Sequence, residues 1–189
     1  MDRLKFYLLF LLSAFSLGVS AQTDFFGIPK MEIGGEEYSL VWSAKIKFRY
    51  VEDFLPKKVT NSHFTSKVSL DFYDADVDVE KVANFKIAEL EASKTENLVT
   101  NLTHSVASNG DYLIEYVAFV QGGDKMQVAE WNLCRLIANN SKGVALLQMK
   151  RREYDIKLEK FISHVEKKKS GWVKEVLSYK LPDLVVKNQ

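Results

Sequence analysis

From Tyr38 to Tyr50 apolar and polar residues take turns: Tyr38, Leu40, Trp42, Ala44, Ile46, Phe48 and Tyr50 alternate with Ser39, Ser43, Lys45, Lys47 and Arg49. A period of two is the signature of a strand with one wet face, and Val41 is its only lapse. A loop around Pro56–Ser62 leads to a second strand near Lys67–Tyr73, where Val68, Leu70 and Phe72 keep one phase. The period then lengthens. Asp78 stands where a helix N-cap belongs, and Val79, Val82, Ala83, Phe85, Ile87, Leu90 and Ala92 form a helical stripe to about Thr95.

Four further strands follow, punctuated by turn chemistry: Val99–Ala107, Tyr112–Gln121, Lys125–Ala138 and Gly143–Tyr154, separated by Asn109-Gly110, Gly122-Gly123 and Asn139–Lys142. Asn-Gly and Gly-Gly accept the positive φ of primed hairpin turns, so these strands are expected to form an antiparallel meander. From Asp155 the helical period returns, with Leu158, Phe161, Ile162, Val165, Trp172 and Val176 near one face. Pro182 is its latest end, and Ser170-Gly171 is a point where it can kink or split. Residues 22–36, with Gly27, Pro29, Gly34 and Gly35, read as an irregular lead-in to one domain over 37–189. Leu113-Ile114, Tyr116–Val120 and Val144–Leu147 are apolar on both strand faces, which asks for cover on each side. The order β-β-α-β-β-β-β-α therefore predicts an α+β sandwich, an antiparallel sheet with a four-strand meander flanked by two helices.

That element order, with Glu115-Tyr116-Val117-Ala118-Phe119-Val120 leading through Gly122-Gly123 to Val128-Ala129-Glu130-Trp131-Asn132 and a closing helix, resembles the PsbP-like proteins. The family comprises accessory proteins of photosystem assembly and their bacterial relatives. The resemblance implies a PsbP-like sandwich and an accessory role, and it transfers no functional residue, because fold alone does not carry function.

The opening segment changes the setting. Arg3 and Lys5 precede an apolar run from Phe6 to Val19, and small residues stand before Gln22. This is the pattern of a secretory signal peptide over residues 1–21, cleaved between Ala21 and Gln22. The run is interrupted by Ser13, Ser16 and Gly18 and is shorter than the roughly 20 apolar residues of a spanning helix. No later stretch is long and apolar enough to span. The expected destination is the periplasm or the exterior of a Gram-negative bacterium. Cleavage removes Asp2, Arg3 and Lys5 from a total of 26 basic and 25 acidic side chains, so the remainder is formally neutral. Such a domain lacks the overall field that draws nucleic acid. Cys134 is the only cysteine, so no intrachain disulfide can form, and stability rests on a hydrophobic core.

Most catalytic signatures are missing: there is no G-x-S-x-G, H-E-x-x-H, P-loop or G-x-G-x-x-G. Asp74, Asp76 and Asp78 mimic the start of an EF-hand, but Val79 stands where glycine is needed and Phe85 where a bidentate glutamate is needed. They remain candidates for a looser divalent-metal site. Cys134, between Leu133 and Leu136, reads as a small buried hydrophobe. Lys150, Arg151 and Arg152, with Lys167–Lys169, offer charge to an anionic partner or form solvated faces.

Strand register supplies the most specific candidate. With two-residue loops at Asn109-Gly110 and Gly122-Gly123, His104 faces Glu115 and Glu115 faces Glu130; with a four-residue loop at Asn139–Lys142, Glu130 faces Arg151. A polar row His104, Glu115, Glu130, Arg151 would then lie among apolar rows formed by Leu102, Val117 and Val128 and by Val106 and Leu113. Adjacent carboxylates repel unless a cation, a metal or a shared proton relieves them. The row reads as a ligand or divalent-metal site, as an acid and base pair, or as a structural ion network. The expected function is a non-catalytic exported protein that binds a protein or small ligand in the envelope. The alternative is an envelope hydrolase built on His104, Glu115 and Glu130.

Overall fold

A computed structural model of the chain describes residues 23–60, 63–94, 99–122, 126–140 and 142–187. The expected signal peptide and its cleavage point lie outside the described residues. The elements are β1 (Lys30–Ile33), β2 (Glu36–Ile46), β3 (Arg49–Pro56), β4 (Ser66–Tyr73), α1 (Val79–Lys94), β5 (Val99–Val106), β6 (Tyr112–Gly122), β7 (Met126–Ala138), β8 (Val144–Tyr154) and α2 (Leu158–Ser178). All eight strands belong to one antiparallel sheet in the order β1-β2-β3-β4-β8-β7-β6-β5, curled into half a barrel.

This corrects the expected sandwich. The strands β5 to β8 form in the anticipated order, but the sheet does not stop there. β8 pairs with β4 from Ser66↔Arg151 to Tyr73↔Val144, so the N-terminal strands extend the same sheet instead of lying apart from it. No turn motif announces a pairing between strands so distant in sequence, which is why alternation alone left it unseen.

Two local features also differ from the expectation. The supposed strand from Tyr38 to Tyr50 is a hairpin, with Ile46 opposite Arg49 and only Lys47-Phe48 between them. Lys47 adopts φ 58 without being glycine, so the turn carries no sequence signal. Alternation passes through unbroken because a two-residue loop keeps the phase. The lapse at Val41 coincides with a register shift between Leu40 and Trp42, a β-bulge. The lead-in is not wholly irregular either: Lys30–Ile33 is β1, folded against β2 by Gly34-Gly35, whose φ of 63 and 77 suit a primed turn.

The two faces of the sheet carry separate apolar clusters. On one, Phe161, Val165 and Val176 of α2 pack on Tyr38, Phe54, Leu70, Trp131, Leu133, Leu147 and Met149, with Phe26 and Leu184 closing the cluster from either end of the described chain. Trp131 and Trp172 lie 5.0 Å apart there. On the other, Val82, Ala83 and Leu90 of α1 cover Ile114, Tyr116, Cys134, Leu136, Val144 and Leu146. Asp78 starts α1 by accepting the N–H of Lys81 at 2.6 Å. The helix α2 runs through Gly171 unbroken.

The end of α2 is held by a buried arginine. Arg135 Nη1 donates to the carbonyls of Val176 (2.9 Å), Leu177 (3.3 Å) and Tyr179 (2.7 Å), groups that a helix terminus leaves without intrahelical partners. Its positive charge also sits at the negative end of the helix dipole. Arg135 Nε is 2.6 Å from Asp111 Oδ2, and both side chains are 9% exposed. Replacing Arg135 with Met fills similar volume but removes the donor to three carbonyls and leaves Asp111 without its cation, held by Asn109 Nδ2 at 2.8 Å. Urea unfolding of Arg135→Met at pH 7 is expected to show a loss of about 3 kcal/mol; a loss below about 1 kcal/mol would mean that α2 does not depend on this clamp.

Candidate functional site: a charged strip on the α1 side of the sheet

The observed registers dissolve the polar row. β5 and β6 are joined by a three-residue loop, Ser108-Asn109-Gly110, closed by Ala107 N–H donating to Asp111 O at 2.8 Å with Gly110 at φ 88. His104 therefore faces Ile114, and Glu115 faces Thr103. Gly122 faces Met126, so Glu115 lies opposite Leu133 and Glu130 opposite Ala118. Ala138 faces Val144, which sets Glu130 opposite Arg152 and Arg151 opposite Trp131. Side chains alternate with a period of two, so these slips put Glu115 and Glu130 on opposite faces.

Each candidate has a different role. On the α2 side, Glu115 accepts from Trp131 Nε1 at 3.0 Å and is 3.9 Å from Lys169. Arg151 Nη1 donates to Ser66 Oγ (2.7 Å) and Glu36 Oε2 (3.2 Å), and its guanidinium lies 5.7 Å from the Trp172 ring centroid. His104 is exposed on the edge strand β5, one register position from Glu115 but on the opposite face of the sheet, and four positions along from Glu130 with β6 between them. The acid and base constellation of a hydrolase is thus not assembled from these residues. The three aspartates are not brought together as a site: Asp78 caps α1, Asp74 pairs with Lys142 at 3.5 Å and Asp76 is exposed. Among the described residues no group of three or more His, Cys, Asp or Glu is placed to hold a metal ion. Burial pushes the Cys134 thiol up to about 11, which leaves it protonated and inert at neutral pH.

Glu130 belongs instead to a strip of polar side chains that alternation places on the α1 side of β3, β4, β8 and β7. The members are Asp53, Lys67, Ser69, Asn132, Gln148, Lys150 and Arg152, and α1 packs chiefly on β5, β6 and β7, leaving this region to one side. Arg152 Nε donates to Glu130 Oε2 at 2.8 Å, while Lys150 Nζ stands 4.0 Å from Glu130 Oε1. Asp53 takes Lys67 Nζ at 2.9 Å and the Ser69 hydroxyl at 2.6 Å. Gln148 Nε2 donates to Asn132 Oδ1 (2.9 Å) and to the Tyr116 hydroxyl (3.0 Å). At the open end, Arg152 lies 3.9 Å from the centroid of Phe64, whose N–H donates to the Tyr154 hydroxyl at 3.1 Å.

Burial opposes the ionised form of Glu130, but Lys150 and Arg152 outweigh it and hold the carboxyl below its ordinary 4.5. Lys67 is lowered, first by burial and then by the charge of Lys150. Three cations thus share two carboxylates among the described residues, and Lys150, at 4.0 Å from Glu130 Oε1, is held less closely than Lys67 and Arg152. Sequence reading reached Lys150 and Arg152 only as part of a basic run. In the strand the run splits by face, with Lys150 and Arg152 on one side and Arg151 on the other. Asp53, Lys67, Asn132 and Gln148 went unnoticed because their strand neighbours were unknown.

A second perturbed carboxyl lies on the α2 side. Glu52 is fully buried, and its Oε1 accepts the N–H of Phe25 at 2.6 Å. Burial pushes it up to about 7, against the Phe25 hydrogen bond and with Asp24 adding to the rise. Phe25 O in turn accepts the N–H of Lys187 at 2.8 Å, so Glu52 anchors the seam between the two ends of the described chain.

Fold and strip together define a class: a curled antiparallel sheet with a helix on each face and a half-buried, charge-lined strip beside one of them. A protein-family model matches residues 26–181, and the chain belongs to that family, which carries no functional description. No curated protein matches the chain.

Two titrations follow from these carboxyls. Because the folded pKa of Glu130 is depressed below 4.5, its stabilisation is present above that pH and is lost as pH falls through the folded value. Glu130→Gln is expected to cost about 2 kcal/mol in urea unfolding at pH 7 and progressively less as pH is lowered below 4.5; a cost that does not fall with pH would show that the charge is immaterial. For Glu52 the sign is reversed. Below 4.5 both states are neutral, and as pH rises through about 7 the folded protein loses stability, by about 3 kcal/mol in all. Glu52→Gln keeps the acceptor for Phe25 and is expected to abolish that slope between pH 5 and about 8; an unchanged slope would place its origin elsewhere.

Proposed function

We propose that the protein is an exported, non-catalytic binding protein of the bacterial envelope, and that its ligand carries a carboxylate or phosphate group taken up by the strip. The observation that carries this reading is the charge balance at Glu130 and Asp53. Lys67 and Arg152 each have a carboxylate oxygen within 3 Å, whereas Lys150 stands 4.0 Å from its nearest. An anionic group placed at Lys150 completes the pairing of three cations and gains a charge-assisted hydrogen bond in a setting partly shielded from water. The amides of Asn132, directly opposite Lys150, and of Gln148, the next residue of β8 on the same face, supply neutral hydrogen-bonding groups for orientation. Export rests on the charged, apolar and small-residue segments that precede Gln22.

Each half of the reading has its own test. The intact mass of protein recovered from the envelope of its source cell is expected to correspond to a chain beginning at Gln22; a chain retaining Met1 and found in the cytosol would overturn export. Titration of isotope-labelled protein with inorganic phosphate and, separately, acetate is expected to shift the resonances of Lys67, Lys150 and Arg152 together. Lys150→Met should weaken that response at least about tenfold, the worth of one charge-assisted hydrogen bond. Equal responses in wild type and variant would exclude the strip as the anion site.

A further inference from the structure

The sheet has two edges, β1 and β5, and they are defended unequally. β1 is four residues long and carries Lys30 and Glu32, with Lys30 paired to Glu37 at 3.0 Å. β5 is eight residues long, and none of Val99–Val106 is charged or proline. Among the described residues it pairs only with β6, and Thr103, His104, Ser105 and Val106 are all exposed, Val106 by 57%. Long uncharged edges accept another strand, which is why most proteins blunt them.

Ladder alternation shows which backbone groups are free. Ala107 N–H points at β6, where it meets Asp111 O. In an antiparallel pair the inward-bonding residues recur every second position, so Ser105 and Thr103 also bond inward, and His104 and Val106 turn their N–H and C=O groups outward. The side chains around His104 are arranged symmetrically by chemistry: Leu102, Thr103, His104, Ser105, Val106 read apolar, hydroxyl, imidazole, hydroxyl, apolar in either direction. Upstream, Asn101 at φ 50 and the register shift between Thr100 and Thr103 end the regular ladder at Thr103, so Leu102 lies at the margin of this stretch.

We infer that β5 pairs antiparallel with β5 of a second copy of this chain, about a two-fold axis through His104, joining two half-barrels into one continuous sheet. In that register Leu102 meets the second copy's Val106 on the α1 side, Thr103 meets its Ser105 on the other, and the outward groups of His104 bond to their own symmetry mates. Apolar faces apolar, hydroxyl faces hydroxyl, and no like charges meet, as a self-complementary interface requires. The bulge at Asn101 limits the pairing to a short segment, so the dimer is weak and concentration-dependent.

Sedimentation equilibrium of the purified protein from about 1 to about 300 µM is expected to show a monomer–dimer equilibrium. His104 is exposed and makes no hydrogen bond through its side chain to the described residues, so its variants are expected to fold, as circular dichroism will check. His104→Glu and His104→Lys each place two like charges across the axis and should weaken the dimer about tenfold or more. Mixed in equal amounts, the two variants should form a heterodimer at least as tight as wild type. A wild-type chain that stays monomeric throughout would overturn the inference. So would a dimer unaffected by either variant, or variants that weaken it without rescue on mixing.

Discussion

Ser66–Tyr73 and Val144–Arg151 lie side by side along the full length of β4, and this ladder joins two four-strand units into one sheet. It closes a long stretch of chain containing α1 and three strands, and loop-closure entropy must be offset before any of its contacts form. Val68, Leu70 and Phe72 then stack beside Ala145, Leu147 and Met149 in the larger apolar cluster, which supplies the offset by burial. Without this ladder, β4 and β8 would each expose an edge, and the α2 side would lack the floor on which the helix rests.

The same ladder creates the charged strip. Lys67 and Ser69 arrive from β4, Gln148 and Lys150 from β8, and the next strand adds Asn132 and Glu130. Because side chains alternate, neighbouring charges in sequence take opposite tasks. Arg151 locks Glu36 and Ser66 beneath α2, while Lys150 and Arg152 address Glu130 on the other side. Asp53 faces the strip, and adjacent Glu52 faces the core and the chain-end seam. Buried ion pairs are poor stabilisers by themselves, since desolvation consumes most of their attraction. Their placement here sets the charge on each face of the sheet more than it adds stability.

The local periodicities were legible wherever a strand was bounded by turn residues, as from Val99 to Tyr154. They failed where a turn lacked them, as at Lys47-Phe48, and where Gly34-Gly35, in what reads as an irregular lead-in, joins β1 to β2 as a hairpin. The candidate row failed for a narrower reason. Asn109-Gly110 was correctly read as a turn, but Ser108 belongs to the loop as well, and that single residue moves His104 from Glu115 to Ile114. Between β6 and β7 the register differs from that expected by three positions, again an odd number, which places Glu115 and Glu130 on opposite faces of the sheet.

What the sequence by itself determined are the properties that depend on neighbours in the chain: the strand and helix periods, the cap at Asp78, the uncharged and near-symmetric run of β5, and the single cysteine. Tertiary structure alone decided which strands meet, which face each charge occupies, and which cation of the strip is held least closely. The reason is geometric. Periodicity is set within a few residues by backbone sterics, whereas register depends on loop closure and burial across the whole sheet, where one added residue inverts every side chain.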